Sequence, residues 1–532
     1  MQTIFDYIIV GAGSAGCVLA NRLTEDGKSS VLLVEAGGED RNFWLHIPVG
    51  YGKTIADPKV NWKFETEANP ALGGRKIYWP RGKVLGGTSS INGLIYIRGQ
   101  AEDYDLWRQD GNEGWSYEEV LPYFRKAEQQ ENGADAYHGA DGPLAVSNIR
   151  ERNPLCEAYI ASAEALGIPR NPDFNGATQE GAGYFQGTIR RGRRASASVC
   201  YLRPAMKRRN LTVMTRTAAL RVLFEGRRAR GVMVEREGKQ FAVTANREVI
   251  LSAGSVKSPH LLMLSGVGDS TDLQAHGVPV VHELKGVGQN LQDHYGGQIT
   301  WRCSQPITMN DVMLSKWRQL RAGLRWILRR DGPLSVPAGQ ASVFTKVLPE
   351  SATPDLQFLF QTFSGGYYED GLFKFSGFAN FICPVRPRSR GHIALRSADP
   401  RDTPKLFPNY FSDPYDRKIA VEGLKLARRM AETAPLSGFV IDEHLPGSQA
   451  ATDDDIEQYL TEQGGCVSHQ VGTCKMGHDS LSVVDPELKV RGLEGLRVVD
   501  ASIMPRLISG NTNAPVIMIA EKAADLIRGR AA

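Results

Sequence analysis

Tyr7-Ile8-Ile9-Val10-Gly11-Ala12-Gly13-Ser14-Ala15-Gly16 stands near the start of the chain, and its reading decides the fold. Four residues of strand-forming type run into G-x-G-x-x-G. Cys17 to Leu23 then reads as helix, and a second apolar run, Val31 to Val34, ends at Glu35. In such a βαβ unit the first glycine makes the tight turn and the second lets backbone approach a pyrophosphate. The third lets helix and strand pack closely, while the helix N-terminus adds partial positive charge. Gly11, Gly13 and Gly16 suit those roles, with Ser14 and Ala15 between them. Glu35, followed by Ala36, stands nineteen residues beyond Gly16, where a carboxylate accepts hydrogen bonds from ribose hydroxyls. An acid there suits an unphosphorylated ribose, hence FAD or NAD. A bare glycine turn would give no reason for Glu35.

Outward from this unit the chain becomes irregular through Arg81-Gly82-Lys83-Val84-Leu85-Gly86-Gly87, a pattern expected of an ordered loop with a function. Leu211 to Gly254 is β-rich, with Leu211 to Met214 and Glu248 to Leu251 the clearest strands, and extends the first sheet. From about Ile307 to Thr461, amphipathic helix mixes with alternating strands such as Leu356-Gln357-Phe358-Leu359-Phe360, which marks a second domain. The last seventy residues return to strand, turn and helix, with Leu496 to Val499 a strand and Ala514 to Ile527 a helix.

A chain of 532 residues exceeds what one hydrophobic core usually organises, so two structural units are expected. Its 63 basic and 59 acidic residues are mixed along the chain and leave a net charge of +4, which argues against a nucleic-acid partner. No apolar stretch is long enough to span a bilayer, and Met1 to Asp6 lack the layout of a signal peptide. The seven cysteines are scattered without a C-x-x-C pair, and Cys466 and Cys474 around His469 lack zinc-ligand spacing, so no metal is expected. These features suit reduced thiols in cytoplasm.

Gly82-Lys83-Val84-Leu85-Gly86-Gly87-Thr88-Ser89-Ser90-Ile91-Asn92 and the segment from Gly254-Ser255-Val256-Lys257-Ser258-Pro259 to Gly266-Val267-Gly268 resemble the two signatures of the glucose-methanol-choline oxidoreductases. Ser468-His469-Gln470-Val471-Gly472-Thr473 and the segments around Val499-Asp500-Ala501-Ser502 and Asn511-Thr512-Asn513-Ala514-Pro515 extend the likeness over essentially the whole chain.

The resemblance implies an α/β chain, α+β overall. A Rossmann-like FAD-binding domain would be built from residues 1–158, 195–305 and 463–532. A substrate-binding domain, built on an antiparallel sheet with helices, would comprise 159–194 and 306–462. It further implies that Arg81, Gly86, Gly87 and Thr88 lie along the FAD, with Asn92, Gly93 and Leu94 near the flavin ring. Ala219 would meet adenine through its backbone, and Asp500, Ala501 and Thr512 the ribityl-phosphate side. Some choline-type members attach FAD to a histidine immediately after Ser-Ser; Ile91 stands there in this chain, so noncovalent FAD is expected.

Moving a hydride from an alcohol carbon to flavin N5 requires that the hydroxyl proton leave, and an imidazole suits that task. The resemblance gives this role to His469 and places Asn513 beside it to hold the substrate oxygen. Asn513 also suits a helix N-cap ahead of Ala514-Pro515. His294 is expected to be structural.

Residues 138–205 look like those of family members that oxidise sorbose, aliphatic alcohols and polyethylene glycols, so the expected reaction converts a primary alcohol to its aldehyde. Electrons would pass to a quinone or another carrier; an oxidase using O2 is the first alternative. A non-redox member of the hydroxynitrile lyase or photodecarboxylase type is the second, and an NAD enzyme the third.

One segment stands apart from this chemistry. Met313, Trp317, Leu320, Leu324 and Ile327 share a helical face ringed by Lys316, Arg318, Arg321, Arg325, Arg329 and Arg330. The plainer expectation packs that face on its own domain. The alternative lays residues 313–330 on an anionic inner-membrane surface.

Overall fold

The computed structural model describes residues 3–366 and 371–529. Its first sheet runs in the order Leu211–Met214, Val31–Val34, Ile4–Val10, Lys239–Leu251, Arg228–Arg236 and Thr217–Glu225, with Leu496–Val498 also pairing to Lys239–Leu251. The strands nearest the glycine loop are parallel, and the hairpins that follow are antiparallel. Ile8, Ile9 and all of Val31–Val34 are buried, as expected of central strands covered on both faces. Each such side chain stabilises the sheet by about 1.5–3 kcal/mol.

Gly11 sits at φ +99°, and a Cβ at Gly16 would lie 1.9 Å from the Gly11 carbonyl oxygen. The Ser14–Leu23 helix can therefore pack on the strand only with glycine there. The C-terminal Asn513–Ile527 helix packs against the Ser14–Leu23 helix. Arg22 clamps the pair, donating from Nε and Nη2 to the fully buried Glu521 at 2.8 Å each. First, middle and last parts of the chain thus share one layer.

The second sheet is antiparallel, in the order Val440–Leu445, Tyr295–Cys303, Gly377–Pro384, Leu356–Gln361, Ala341–Thr345 and Gly181–Tyr184. Two expectations need correction. The Tyr295–Cys303 strand, placed by sequence in the unit ending at 305, pairs with Gly377–Pro384 and Val440–Leu445 and so belongs to the second sheet. Leu356 to Phe360 is buried at every residue rather than on alternate ones. The Pro414–Glu432 helix covers one face so closely that a Cβ at Gly423 would lie 2.6 Å from Ile382 and 2.9 Å from Leu356. Leu359 and Phe381 fill the other face with Ile95, Phe185 and Phe344.

The basic segment also departs from expectation. It breaks at Ser315 into Met309–Leu314 and Lys316–Arg329, and only Ala322 and Trp326 of the longer helix are buried. Trp317, Leu320, Leu324 and Ile327 face solvent instead of the domain.

Candidate active site

Between the two sheets lies a cavity of about 930 Å³, at the upper end of the usual range for small-molecule sites. The glycine loop and the helix that follows it line one end through Gly11, Gly13, Ser14 and Ala15. Gly13 caps the helix with no side-chain hydrogen bond, and no acidic residue stands in the first turn. A Cβ built on Gly13 meets no protein atom closer than 3.9 Å, so the space in front of it belongs to the cavity. The Asn513–Ile527 helix also begins at this cavity, capped by Thr512 without a side-chain bond and without an acid in its first turn. Two open helix N-termini make this end suited to a pyrophosphate.

Glu35 and Ala36 line the same end. The Ala12 N–H donates to Glu35 Oε2 at 2.9 Å and the Gly37 N–H to Oε1 at 2.8 Å, which aims the carboxylate and leaves lone pairs for ribose hydroxyls. Burial pushes its carboxyl up to about 7, against those two N–H groups and the charge of Lys83. Thr217, Ala218 and Ala219 border the cavity beside it.

The second glycine-rich loop lies on the first. The Gly86 N–H donates to the Ala12 carbonyl at 2.7 Å, and a Cβ on Gly87 would come within 2.7 Å of Gly13 Cα. Arg81, Gly87, Thr88, Asn92, Gly93 and Leu94 line the cavity; Gly16 and Gly86 serve packing and the turn, outside its lining. Leu94 holds φ +66°, a strained setting for a branched side chain. Asp500 and Ala501 reach the cavity wall, but the Asp500 carboxylate is occupied by the Gly254 N–H, Ser258 Oγ and Ser502. It ties the start of the Gly254–Leu264 helix to its own segment there.

At the other end, His469 is buried and set by its neighbours. Ser468 is held at φ +63°, and Arg81 Nη2 donates to its carbonyl at 2.8 Å. The His469 N–H donates to Asp293 Oδ1 at 2.6 Å; Gln470 Nε2 and the Tyr410 hydroxyl donate to Asp293 Oδ2. Burial pushes the Asp293 carboxyl up to about 6, with Tyr410, Arg81 and the His469 N–H acting against it.

The ring of His469 lies in a chain of hydrogen bonds whose directions can be worked out. His294 Nε2 is 2.9 Å from the Val385 carbonyl, which can only accept, so His294 carries its proton on Nε2. His294 Nδ1 must then accept from His469 Nδ1, 2.9 Å away. His469 Nε2 is left as a lone pair, and Asn511 Nδ2, which can only donate, lies 3.1 Å from it. Gln357 Nε2 fixes the Asn511 amide by donating to its Oδ1 at 3.3 Å. Burial holds the His469 imidazole well below its usual value, with His294 and Arg81 adding to the effect. Burial pushes His294 down to about 4, against the Val385 carbonyl. The arrangement presents a neutral imidazole to the cavity, its unprotonated Nε2 accepting from Asn511.

The residue beside that nitrogen is Asn511, not the expected Asn513. Asn513 Oδ1 accepts from Ser14 Oγ at 2.8 Å and so ties the two helix starts together at the nucleotide end; Thr512, not Asn513, is the helix cap. His294, expected to be structural, contacts the His469 ring directly. Sequence also passed over Asp293 and Gln357. The pattern Asn511-Thr512-Asn513 offered the needed amide twice, with nothing in spacing to choose between them.

Comparison with known proteins agrees with this geometry. Two family models described as GMC oxidoreductase match residues 5–296 and 387–520. The chain is 44% identical to the mitochondrial choline dehydrogenase of Homo sapiens, over 99% of this chain and 90% of that one. It is also 44% identical to an alcohol dehydrogenase [acceptor] of Pseudomonas putida, over 98% of this chain and 96% of that one. Among solved structures, pyridoxine 4-oxidase from Mesorbium loti matches with a TM-score of 0.90 at 29% identity, covering 99% of this chain and 100% of that chain. An Aspergillus oryzae formate oxidase variant matches with a TM-score of 0.93 at 26% identity, covering 99% and 98%. The open helix starts, the ribose carboxylate and the base nitrogen at opposite ends of one cavity fit FAD and an alcohol, and the chain belongs to the GMC oxidoreductases, FAD-binding enzymes that act on alcohols.

Proposed function

We propose that the chain oxidises an uncharged primary alcohol to its aldehyde and passes the electrons to a quinone or similar carrier. The observation that carries this reading is the unprotonated Nε2 of His469 beside the Asn511 amide at the cavity end away from the glycine loop. FAD, held noncovalently along the glycine loops and Glu35, supplies the hydride acceptor.

His469 Nε2 takes the hydroxyl proton as the carbinol hydride leaves, a task that contributes about 10²–10⁴ in rate. Asn511 has a second N–H to hold the substrate oxygen and stabilise its developing charge. Asp293 and Arg81 hold the N–H and the carbonyl of the one peptide unit that leads into the base. Buried Ile91 stands where some members carry the histidine that attaches FAD, which supports the noncovalent assignment.

An uncharged alcohol is favoured over choline because the carboxylates lining the cavity, among the described residues, are Glu35 and Asp500, both engaged by donors of the nucleotide half. The walls at the other end include Met309, Val336, Leu359, Phe381 and Val467. A carrier is favoured over O2 by the 44% identity to an alcohol dehydrogenase [acceptor]; relatives named oxygen-dependent choline dehydrogenase stand against it at 42–43%, while pyridoxine 4-oxidase and formate oxidase lie lower, at 29% and 25%.

The test is anaerobic absorbance of the purified protein titrated with a panel of alcohols that includes choline, followed by air and then by a quinone analogue. Bleaching by neutral primary alcohols at lower concentration than choline, with recovery faster on quinone than in air, is the expected result. Tighter response to choline, rapid recovery in air with peroxide, or no bleaching by any alcohol would each overturn a stated part of the reading.

A further inference from the structure

The Lys316–Arg329 helix takes no part in the chemistry at His469, yet it carries the densest exposed apolar surface of the described residues. Trp317 is 72% exposed and Leu328 79%, with Leu320, Leu324 and Ile327 at 50–59% between them. At 3.6 residues per turn these five side chains form one stripe about 100° wide. Ala322 and Trp326, the buried residues of the helix, lie on the opposite side.

The attachment to the body is narrow and specific. Trp326 Nε1 donates to the Gly192 carbonyl at 2.8 Å, and Arg325 pairs with Asp331 at 2.7 Å and Glu151 at 2.8 Å. The helix is thereby fixed with Trp317, Leu320, Leu324 and Leu328 turned to solvent and Ile327, at the edge of the stripe, bordering the cavity.

The charge around the stripe has one sign. Lys316, Arg318, Arg321 and Arg329 are exposed and in no ion pair among the described residues. The adjoining turn adds exposed Arg191 and Arg193. The nearby acids are already spent: Asp331 and Glu151 on Arg325, Asp311 on Thr308 and Ser376. Phe43, 58% exposed, packs 6.0 Å from the Trp326 ring on the attached side of the helix.

We infer that this helix docks on an anionic lipid surface, its apolar stripe in the interface and its basic fringe against the headgroups. An apolar stripe with Trp, bordered by unpaired cations on a rigid helix, is the pattern that such surfaces bind. A second copy of the chain is disfavoured as the occupant, because a two-fold contact through this face would set basic fringe against basic fringe. No helix of the described residues is long and apolar enough to cross a membrane, so the contact is a surface one. Gln319, Ala322, Gly323 and Ile327 also line the cavity that holds His469, so docking sets one wall of that cavity at the lipid.

The test is flotation of the flavin-loaded protein with vesicles of phosphatidylcholine alone or mixed with phosphatidylglycerol, at low and high salt. The expected result is binding to the mixed vesicles, weakened by salt and by omitting phosphatidylglycerol. The triple variant Trp317→Ser, Leu324→Ser, Leu328→Ser should bind about tenfold less while keeping its flavin absorbance and its activity with a soluble acceptor. Arg318→Glu with Arg321→Glu should lose the preference for the anionic lipid. Failure of the parent protein to float with mixed vesicles at low salt would overturn the inference. So would equal flotation of the triple variant, or a dimer in light scattering that the triple variant dissociates.

Discussion

The two ends of the cavity are built by different rules. At the nucleotide end the decisive residues are neighbours in sequence: Gly11 to Gly16 and Glu35 form one βαβ unit whose packing leaves little choice. At the His469 end, Asp293 and His294, Gln357, His469 and Asn511 come from four separate segments and meet only because the second sheet is laid over the first. A site made by local spacing is set by backbone. A site made by convergence is set by hydrogen-bond direction, and its substitutions should act on rate rather than on cofactor retention.

The largest effect tests the first half of that contrast. Gly13→Val adds atoms where the protein offers none in contact, at an ordinary φ of −75°, so the fold should persist while the pyrophosphate site is filled. FAD affinity should fall at least about a hundredfold, roughly 2.7 kcal/mol, read as lost visible absorbance in a protein with unchanged circular dichroism. Retained FAD would show that the open space at Gly13 is not the pyrophosphate site.

The asparagine pair sharpens the contrast most directly. Asn511→Ala should lower the rate of flavin reduction by alcohol about a hundredfold with FAD retained, the usual effect of removing one donor to a developing oxyanion. Asn513→Ala removes the acceptor of Ser14 Oγ and should weaken FAD retention with little change in that rate once the cofactor is supplied. The opposite assignment of the two effects would restore Asn513 to the place beside the base.

A smaller effect is expected at His294, which acts through His469. His294→Leu removes the acceptor of the His469 Nδ1 proton, lets the base nitrogen take the proton instead, and should slow flavin reduction by about tenfold. His294→Gln keeps an acceptor and should recover most of the rate. Because burial, His294 and Arg81 all hold the His469 imidazole below 6.5, kcat/KM of the parent should be level through neutral pH and fall only in acid, as the base takes a proton. Loss of His294 removes one of those causes, so the acid limb of the Leu variant should move to higher pH. Identical Leu and Gln variants would reduce His294 to a packing role.

What could be read from sequence follows the same division. The parallel sheet, the glycine roles and Glu35 were legible because pattern and packing coincide within thirty-odd residues. The second sheet was foreseen as antiparallel, but its Tyr295–Cys303 strand was assigned to the wrong unit because an apolar strand carries no mark of its partner. The place of His469 at the cavity was legible from its motif. Its partner was not, since Asn511 and Asn513 differ only in where the helix begins. The Lys316–Arg329 periodicity announced an apolar face but could not say whether anything covers it.

The most direct test of the central claim is anaerobic stopped-flow reduction of the His469→Ala protein by an alcohol that bleaches the parent. If His469 is the base, the variant will keep its flavin absorbance while bleaching slows by about 10²–10⁴. Bleaching at the parent rate would place the proton transfer elsewhere and contradict the assignment.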